Sequence, residues 1–70
     1  MITQEDIDNR FSYHAPTGSQ PERYVAIRNK AKELASDILA KTPSSREQSL
    51  ALTALEEAVM WANAAIARNE

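Results

Sequence analysis

The sequence predicts an all-α fold: an antiparallel helical hairpin, about residues 21–41 and 45–68, preceded by a short N-terminal helix and arm within residues 1–20, the whole assembling as a homo-oligomer. Three observations predict it. The apolar residues of both long segments recur at alternating steps of three and four, without the period-two alternation a strand would show. The breakers fall in two places, Pro16, Gly18 and Pro21 in one cluster and Thr42-Pro43-Ser44 in another, and they divide the chain into an arm and two long segments. The closing stretch LEEAVMWANAAIARNE, Leu55 to Glu70, is apolar on more than one side, which a helix with a single neighbour does not require.

The elements follow in order. Thr3, with Asp6 three residues on, caps a short helix through about Arg10. A helix of that length is marginal alone in water, so it is expected to lean on the hairpin through Ile2, Ile7 and Phe11. The first long helix begins near Pro21, whose missing N–H has no partner in a first turn anyway, and ends near Lys41. Its apolar face is Tyr24, Ile27, Ala31, Leu34 and Ile38. The second opens on Ser44-Ser45-Arg46-Glu47, a capping-box pattern in which the Ser44 hydroxyl accepts from the Glu47 amide and the Glu47 carboxylate reaches back to the Ser44 amide. A carboxylate in the first turn and Arg68 in the last both suit the helix dipole.

Between those ends the second long helix carries two seams. Leu52, Leu55, Val59, Ala62 and Ile66 form one; Ala51, Ala54, Ala58, Trp61 and Ala65 form the other, displaced by one residue or about 100°. One seam packs on the first helix across the Thr42-Pro43 turn. The other needs a further partner. A chain of 70 residues buries too little surface to be comfortably stable alone, and the usual staples are disulfides, a metal or self-association. With no cysteine and one histidine, His14, association remains. The expected interface is Phe11, Ala54, Ala58, Trp61 and Ala65, where alanines permit close backbone approach and the indole supplies a large apolar surface. The alternative is a monomeric three-segment bundle with the arm over the second seam. An arm with about ten structured residues is short beside a helix of about 25.

A formal net charge of −2 and a pI near 5.3 argue against duplex nucleic acid as a partner, which calls for a basic stripe, but not against small anions. No apolar run approaches the roughly 20 residues of a membrane span, and the acidic start Met1-Ile2-Thr3-Gln4-Glu5-Asp6 lacks the basic region of a signal peptide. The expected location is the cytoplasm. No residue set announces catalysis, a cofactor or a metal. His14 has no partner nucleophile or second ligand. Glu56 and Glu57 are consecutive and diverge on a helix, Ser44 and Ser45 are used in capping, and a single glycine excludes a phosphate-cradling glycine loop. The cations are more suggestive: Arg28 and Lys32 one turn apart, Arg23 and Lys30 two turns apart, and Arg68 at the far helix end. In a monomer most of these only solubilise. Gathered from several subunits they make a compact anion site, and Tyr13 and Phe11 are aromatic surfaces on which a nucleobase stacks. Composition and spacing alone end at a small, non-enzymatic helical oligomer.

Two stretches go further. Ser44-Ser45-Arg46-Glu47-Gln48-Ser49-Leu50-Ala51-Leu52-Thr53, continued by Leu55-Glu56-Glu57-Ala58 and Met60-Trp61-Ala62-Asn63-Ala64-Ala65-Ile66-Ala67-Arg68, resembles the helical-hairpin domain of phage anti-defence sponges, proteins that sequester the cyclic nucleotide signals of CBASS immunity, together with related anti-Thoeris proteins. Arg10-Phe11-Ser12-Tyr13-His14-Ala15-Pro16, Gln20-Pro21-Glu22-Arg23-Tyr24 and Ile27-Arg28 resemble the same family; Ala15 departs from a stretch often richer in proline. The resemblance implies a phage-encoded homo-oligomer, hexameric, acting in the host cytoplasm, that holds cyclic dinucleotides such as cyclic GMP-AMP, or cyclic trinucleotides, between protomers without reacting with them. Cyclic ADP-ribose isomers, held by anti-Thoeris relatives that in several cases carry additional sequence, come second. Such ligands set flat bases beside phosphates. Tyr13 is then the candidate stacker, Arg28 and Arg68 the phosphate contacts, and Lys32 and Asn63 secondary contacts. The alternative is a non-enzymatic oligomeric module for protein–protein interaction.

Overall fold

A computed structural model describes residues 1–70. It contains three helices and no strand: α1, Gln4–Arg10; α2, Gln20–Lys41; and α3, Arg46–Asn69. α1 is capped as its sequence implies. The Thr3 hydroxyl accepts from the Asp6 amide at 3.1 Å, and the Asp6 carboxylate accepts from the Thr3 amide at 2.9 Å. That backbone hydrogen bond from Thr3, with the hydroxyl contact behind it, holds the Asp6 carboxyl below its ordinary value. α2 carries Pro21 in its first turn, where the lost N–H costs nothing.

α3 starts one residue later than the Ser44 capping box requires. Its N-cap is Ser45, in extended backbone (φ −168°, ψ 169°), and the Ser45 hydroxyl accepts from the Gln48 amide at 3.1 Å. The hydroxyl also donates to the Pro43 carbonyl at 3.0 Å, which ties the cap to the turn. The Gln48 amide group reaches across that turn and donates to the Thr42 carbonyl at 3.0 Å and hydroxyl at 3.1 Å. Gln48 therefore takes the third helical position and staples α2 to α3, a place that a Ser44–Glu47 box would give to Glu47. Ser45→Ala is expected to cost about 1 kcal/mol and Ser44→Ala close to nothing, as measured by denaturant unfolding of the two variants side by side.

The hairpin forms along the first seam. Leu52, Leu55, Val59, Ala62 and Ile66 are all half-buried, opposite Tyr24, Ile27, Ala31 and Ile38 of α2. One member of the α2 face differs from the expected set. Leu34 stays 49% exposed and Ala35 is half-buried instead. Ala35 stands one turn beyond Ala31, so the two alanines continue one line of close approach between the helix axes, and the Leu34 side chain moves to the rim.

Packing stops there. No hydrophobic residue is fully buried, and the one buried residue in the chain is Gln20, at 7% exposure. The protomer is a slab of 45 × 30 × 14 Å with a radius of gyration of 15.3 Å, against about 11 Å for a compact domain of this length. All five residues of the second seam are exposed, so the arm does not cover it. Nor does α1 lean on the hairpin through apolar residues: Ile2, Ile7 and Phe11 are 59%, 42% and 84% exposed. The tether is polar. The Asn9 side-chain amide donates to the Arg68 carbonyl at 3.1 Å, a last-turn acceptor that α3 itself leaves unpaired, and this turns the apolar side of α1 outward.

By length and composition α3 is apolar enough to cross a membrane, with an 18-residue window of mean hydropathy 1.2. Every such window within Arg46–Asn69 contains Glu56 and Glu57, which a bilayer centre penalises. The same helix sets one of its two apolar seams against α2.

Candidate functional site

The arm, the first half of α2 and the last turns of α3 enclose an open cleft of about 470 Å³. Helical spacing builds two of its walls. Tyr24 and Arg28 stand one turn apart on α2. On α3, Ala64 and Ala67 keep the floor low, while Asn63 and Arg68 flank them. The third wall is Arg10, from the last turn of α1, with Ser12, Tyr13, His14 and Pro16 of the arm.

The arm is strapped at both ends. At one end Asn9 holds the Arg68 carbonyl, and the Asn9 carbonyl accepts from His14 Nε2 at 2.8 Å, which places a ring proton on that nitrogen. At the other, the turn Thr17-Gly18-Ser19-Gln20 enters α2 through Gly18 at φ 54°, a left-handed conformation that glycine adopts without penalty. The Gln20 amide N–H donates to the Thr17 carbonyl at 2.9 Å, and the Thr17 amide N–H donates to Gln20 Oε1 at 3.0 Å. The Gln20 side-chain amide donates in turn to Glu70 at 3.3 Å. Arg23 closes the group with a forked pair to Glu70, Nη1 to Oε2 at 2.7 Å and Nη2 to Oε1, and with Nε on the Ser19 hydroxyl at 3.1 Å.

The hydrogen bonds from Arg23, with a smaller one from Gln20, lower the Glu70 carboxyl from 4.5 to about 2; the same contact raises Arg23 above its ordinary value. A carboxyl depressed in the folded state contributes fully above its ordinary value and loses that contribution as pH falls through the folded one. The Glu70 tie is therefore expected to be complete above pH 4.5 and to fade toward about 2. A side-chain carboxyl titration by NMR checks this, and a Glu70 midpoint near 4.5 would mean that the tie does not form in solution.

The cleft's charge is one-sided. Arg10, Arg28 and Arg68 line it with His14, and no carboxylate does, in a chain whose net charge is −2. None of these arginines is in an ion pair, since the two pairs present are Arg23–Glu70 and Lys41–Asp37. Guanidinium groups without carboxylate partners present forked donors suited to phosphate. Two phenol rings, Tyr13 and Tyr24, stand in the same cleft. The Asn63 Oδ1 is buried without a hydrogen-bond partner, a condition that costs about 1–3 kcal/mol until a donor arrives.

Four of the five candidate ligand residues, Tyr13, Arg28, Asn63 and Arg68, thus meet in one cleft. Lys32 does not join them. It lies one turn along α2 in a neighbouring apolar groove with Leu52, Leu55 and Met60, which Arg28 also borders. Sequence reasoning passes over Arg10, His14 and Tyr24 as ligand contacts. Tyr24 has a local signal, its one-turn spacing from Arg28; Arg10 and His14 have none, because only the folded-back arm brings them in. The interface candidates Ala54, Ala58, Trp61 and Ala65 form one exposed stripe, on which the Trp61 indole N–H donates to Glu57 Oε1 at 3.2 Å. Phe11 is exposed on the arm.

No curated protein and no solved structure matches the chain. A family model, Acb2/Tad1, hairpin domain, matches residues 3–67. That match runs through α1, the arm that carries Tyr13, and both helices of the hairpin, and the chain accordingly belongs to the Acb2/Tad1 hairpin-domain family, the phage anti-CBASS and anti-Thoeris cyclic-nucleotide sponges.

Proposed function

We propose that this protein is a phage-encoded sponge that binds cyclic dinucleotides such as cyclic GMP-AMP, or cyclic trinucleotides, in the host cytoplasm and withholds them from CBASS-type effectors without cleaving them. The observation that carries the reading is the cleft in which three arginines, without a carboxylate, stand beside two tyrosines. Cyclic oligonucleotides offer the complement, phosphates for the guanidiniums and flat bases for the rings.

The working form is a homo-oligomer, a hexamer by analogy with the family. A slab with no buried hydrophobic residue gains its core by association, and the exposed Ala54, Ala58, Trp61 and Ala65 stripe is the surface for it. A cleft open on one side of a protomer is closed by a neighbour, and burial of the ligand slows its release. Sequestration then works by mass action. A protein that holds the messenger more tightly than the effector does lowers the free signal, even while synthesis continues. It needs copies rather than turnover.

The test is a thermal-shift panel of cyclic di- and trinucleotides followed by heat denaturation and chromatography of what is released. A raised melting temperature with the nucleotide recovered intact is the expected result. An unchanged melting temperature at saturating ligand would instead favour an oligomeric protein–protein interaction module, and loss of nucleotide would make the protein an enzyme.

A further inference from the structure

Gln20 is the one buried residue of the chain, and it is polar. In a protomer without a buried hydrophobic side chain, this position is held by hydrogen bonds. Glutamine presents an acceptor and a donor on one planar group, and both are used between elements: Oε1 accepts from the Thr17 amide N–H at 3.0 Å, and Nε2 donates to Glu70 at 3.3 Å. Glu70 is held in turn by Arg23, and Arg23 by Ser19. One knot therefore joins the arm, the start of α2 and the end of α3. Immediately upstream of Thr17 lie the arm residues that wall the cleft: Pro16, His14 and Tyr13.

We propose that Gln20 is a positioning residue: its two-sided tie to Thr17 and Glu70 holds the arm over the arginine cleft, so that Tyr13 stands in place before a ligand arrives. The role in ligand binding rests on the sponge reading above. Without the Gln20 side chain, the arm keeps the Asn9–Arg68 contact and the backbone hydrogen bond from the Gln20 amide to the Thr17 carbonyl but loses its tie to the end of α3, and a ligand must order more of it at the moment of binding, which weakens affinity. Gln20 does not itself line the cleft; it acts through Thr17 and the chain leading back to Tyr13.

The experiment compares Gln20→Ala, Gln20→Glu, Glu70→Gln and the double variant Gln20→Glu/Glu70→Gln with the parent oligomer. Gln20→Glu keeps the acceptor for Thr17 but sets two carboxylates against each other, whereas in the double variant carboxylate and amide exchange places and the donor–acceptor pair returns. Amide hydrogen exchange over residues 12–19 is measured without ligand, alongside circular dichroism and light scattering, and cyclic GMP-AMP binding is measured by calorimetry. In Gln20→Ala and Gln20→Glu, arm exchange is expected to rise about tenfold with helicity and oligomer size unchanged, and affinity to fall about tenfold through faster release. Glu70→Gln should show a smaller change of the same kind, and the double variant should recover most of both losses. Unchanged arm exchange in all three single variants would overturn the proposal, as would faster exchange with parental affinity or a double variant no better than Gln20→Glu. A parent that fails to bind cyclic GMP-AMP would count against that ligand assignment, while the exchange series still decides whether the knot holds the arm.

Discussion

Replacing Trp61 with Ala is expected to dissociate the assembly while leaving the hairpin helical. Trp61 is 62% exposed on the protomer, so its removal takes little from α2–α3 packing, which runs along Leu52, Leu55, Val59, Ala62 and Ile66. What it takes is the one large residue in a stripe of alanines. In the proposed assembly, Ala54, Ala58 and Ala65 would let a partner's backbone come close, and the ring among small neighbours would act as a knob that the partner encloses, as in the aromatic hot spots of other interfaces. Large aromatic truncations in enclosed sites cost about 3–5 kcal/mol, more than a hundredfold in association, roughly. Light scattering at micromolar concentration reads the outcome: a larger particle for the parent and about 7.8 kDa for the variant, with circular dichroism confirming that the helices persist. A parent that itself scatters as a 7.8 kDa particle would refute self-association through this seam.

The second large effect is expected at the cleft. Arg28→Ala and Arg68→Ala each remove a forked cation from opposite walls, α2 and α3, and neither side chain is committed to an ion pair. Loss of a hydrogen bond to a charged group costs roughly 1.5–3 kcal/mol, so each variant should bind cyclic di- or trinucleotides about ten- to a hundredfold more weakly by calorimetry. Tyr13→Ala should cost a comparable amount, since base stacking on an aromatic ring is worth about 1–3 kcal/mol. Lys32→Ala should cost less, because Lys32 borders the neighbouring groove. Oligomer size must be checked for each variant, so that lost assembly is not read as lost contact. Should two ligand classes occupy different pockets, these substitutions will not weaken both equally. If the Arg28, Arg68 and Tyr13 variants all bind every nucleotide as the parent does, this cleft is not the site.

Much of the fold is legible in the residues themselves because it is local. Thr3 with Asp6 marks where α1 begins, Pro21 marks the first turn of α2, and the alternating three- and four-residue steps name the face of α3 that meets α2. The departures are local competitions as well. Ser44 and Ser45 each have a suitable partner three residues on, Glu47 or Gln48, and the cap falls to Ser45 because its hydroxyl also reaches the Pro43 carbonyl while Gln48 reaches Thr42. Leu34 and Ala35 compete for one packing position, and close approach of the helices selects the smaller residue.

The helices, their turn, the doubled seam and a resemblance that names the ligand class all follow from the order of residues, since each rests on spacing within a segment or on a recurring string. Folding in three dimensions adds what that order does not carry: Arg10, His14 and Tyr24 join Tyr13, Arg28, Asn63 and Arg68 around one cleft, Lys32 stands outside it, and Arg23 is tied up with Glu70 rather than free for a ligand. The physical reason is the length of chain between the groups. Asn9 meets the Arg68 carbonyl, and Gln20 and Arg23 meet Glu70, contacts that close across both helices of the hairpin and leave no periodic mark in the residues they join.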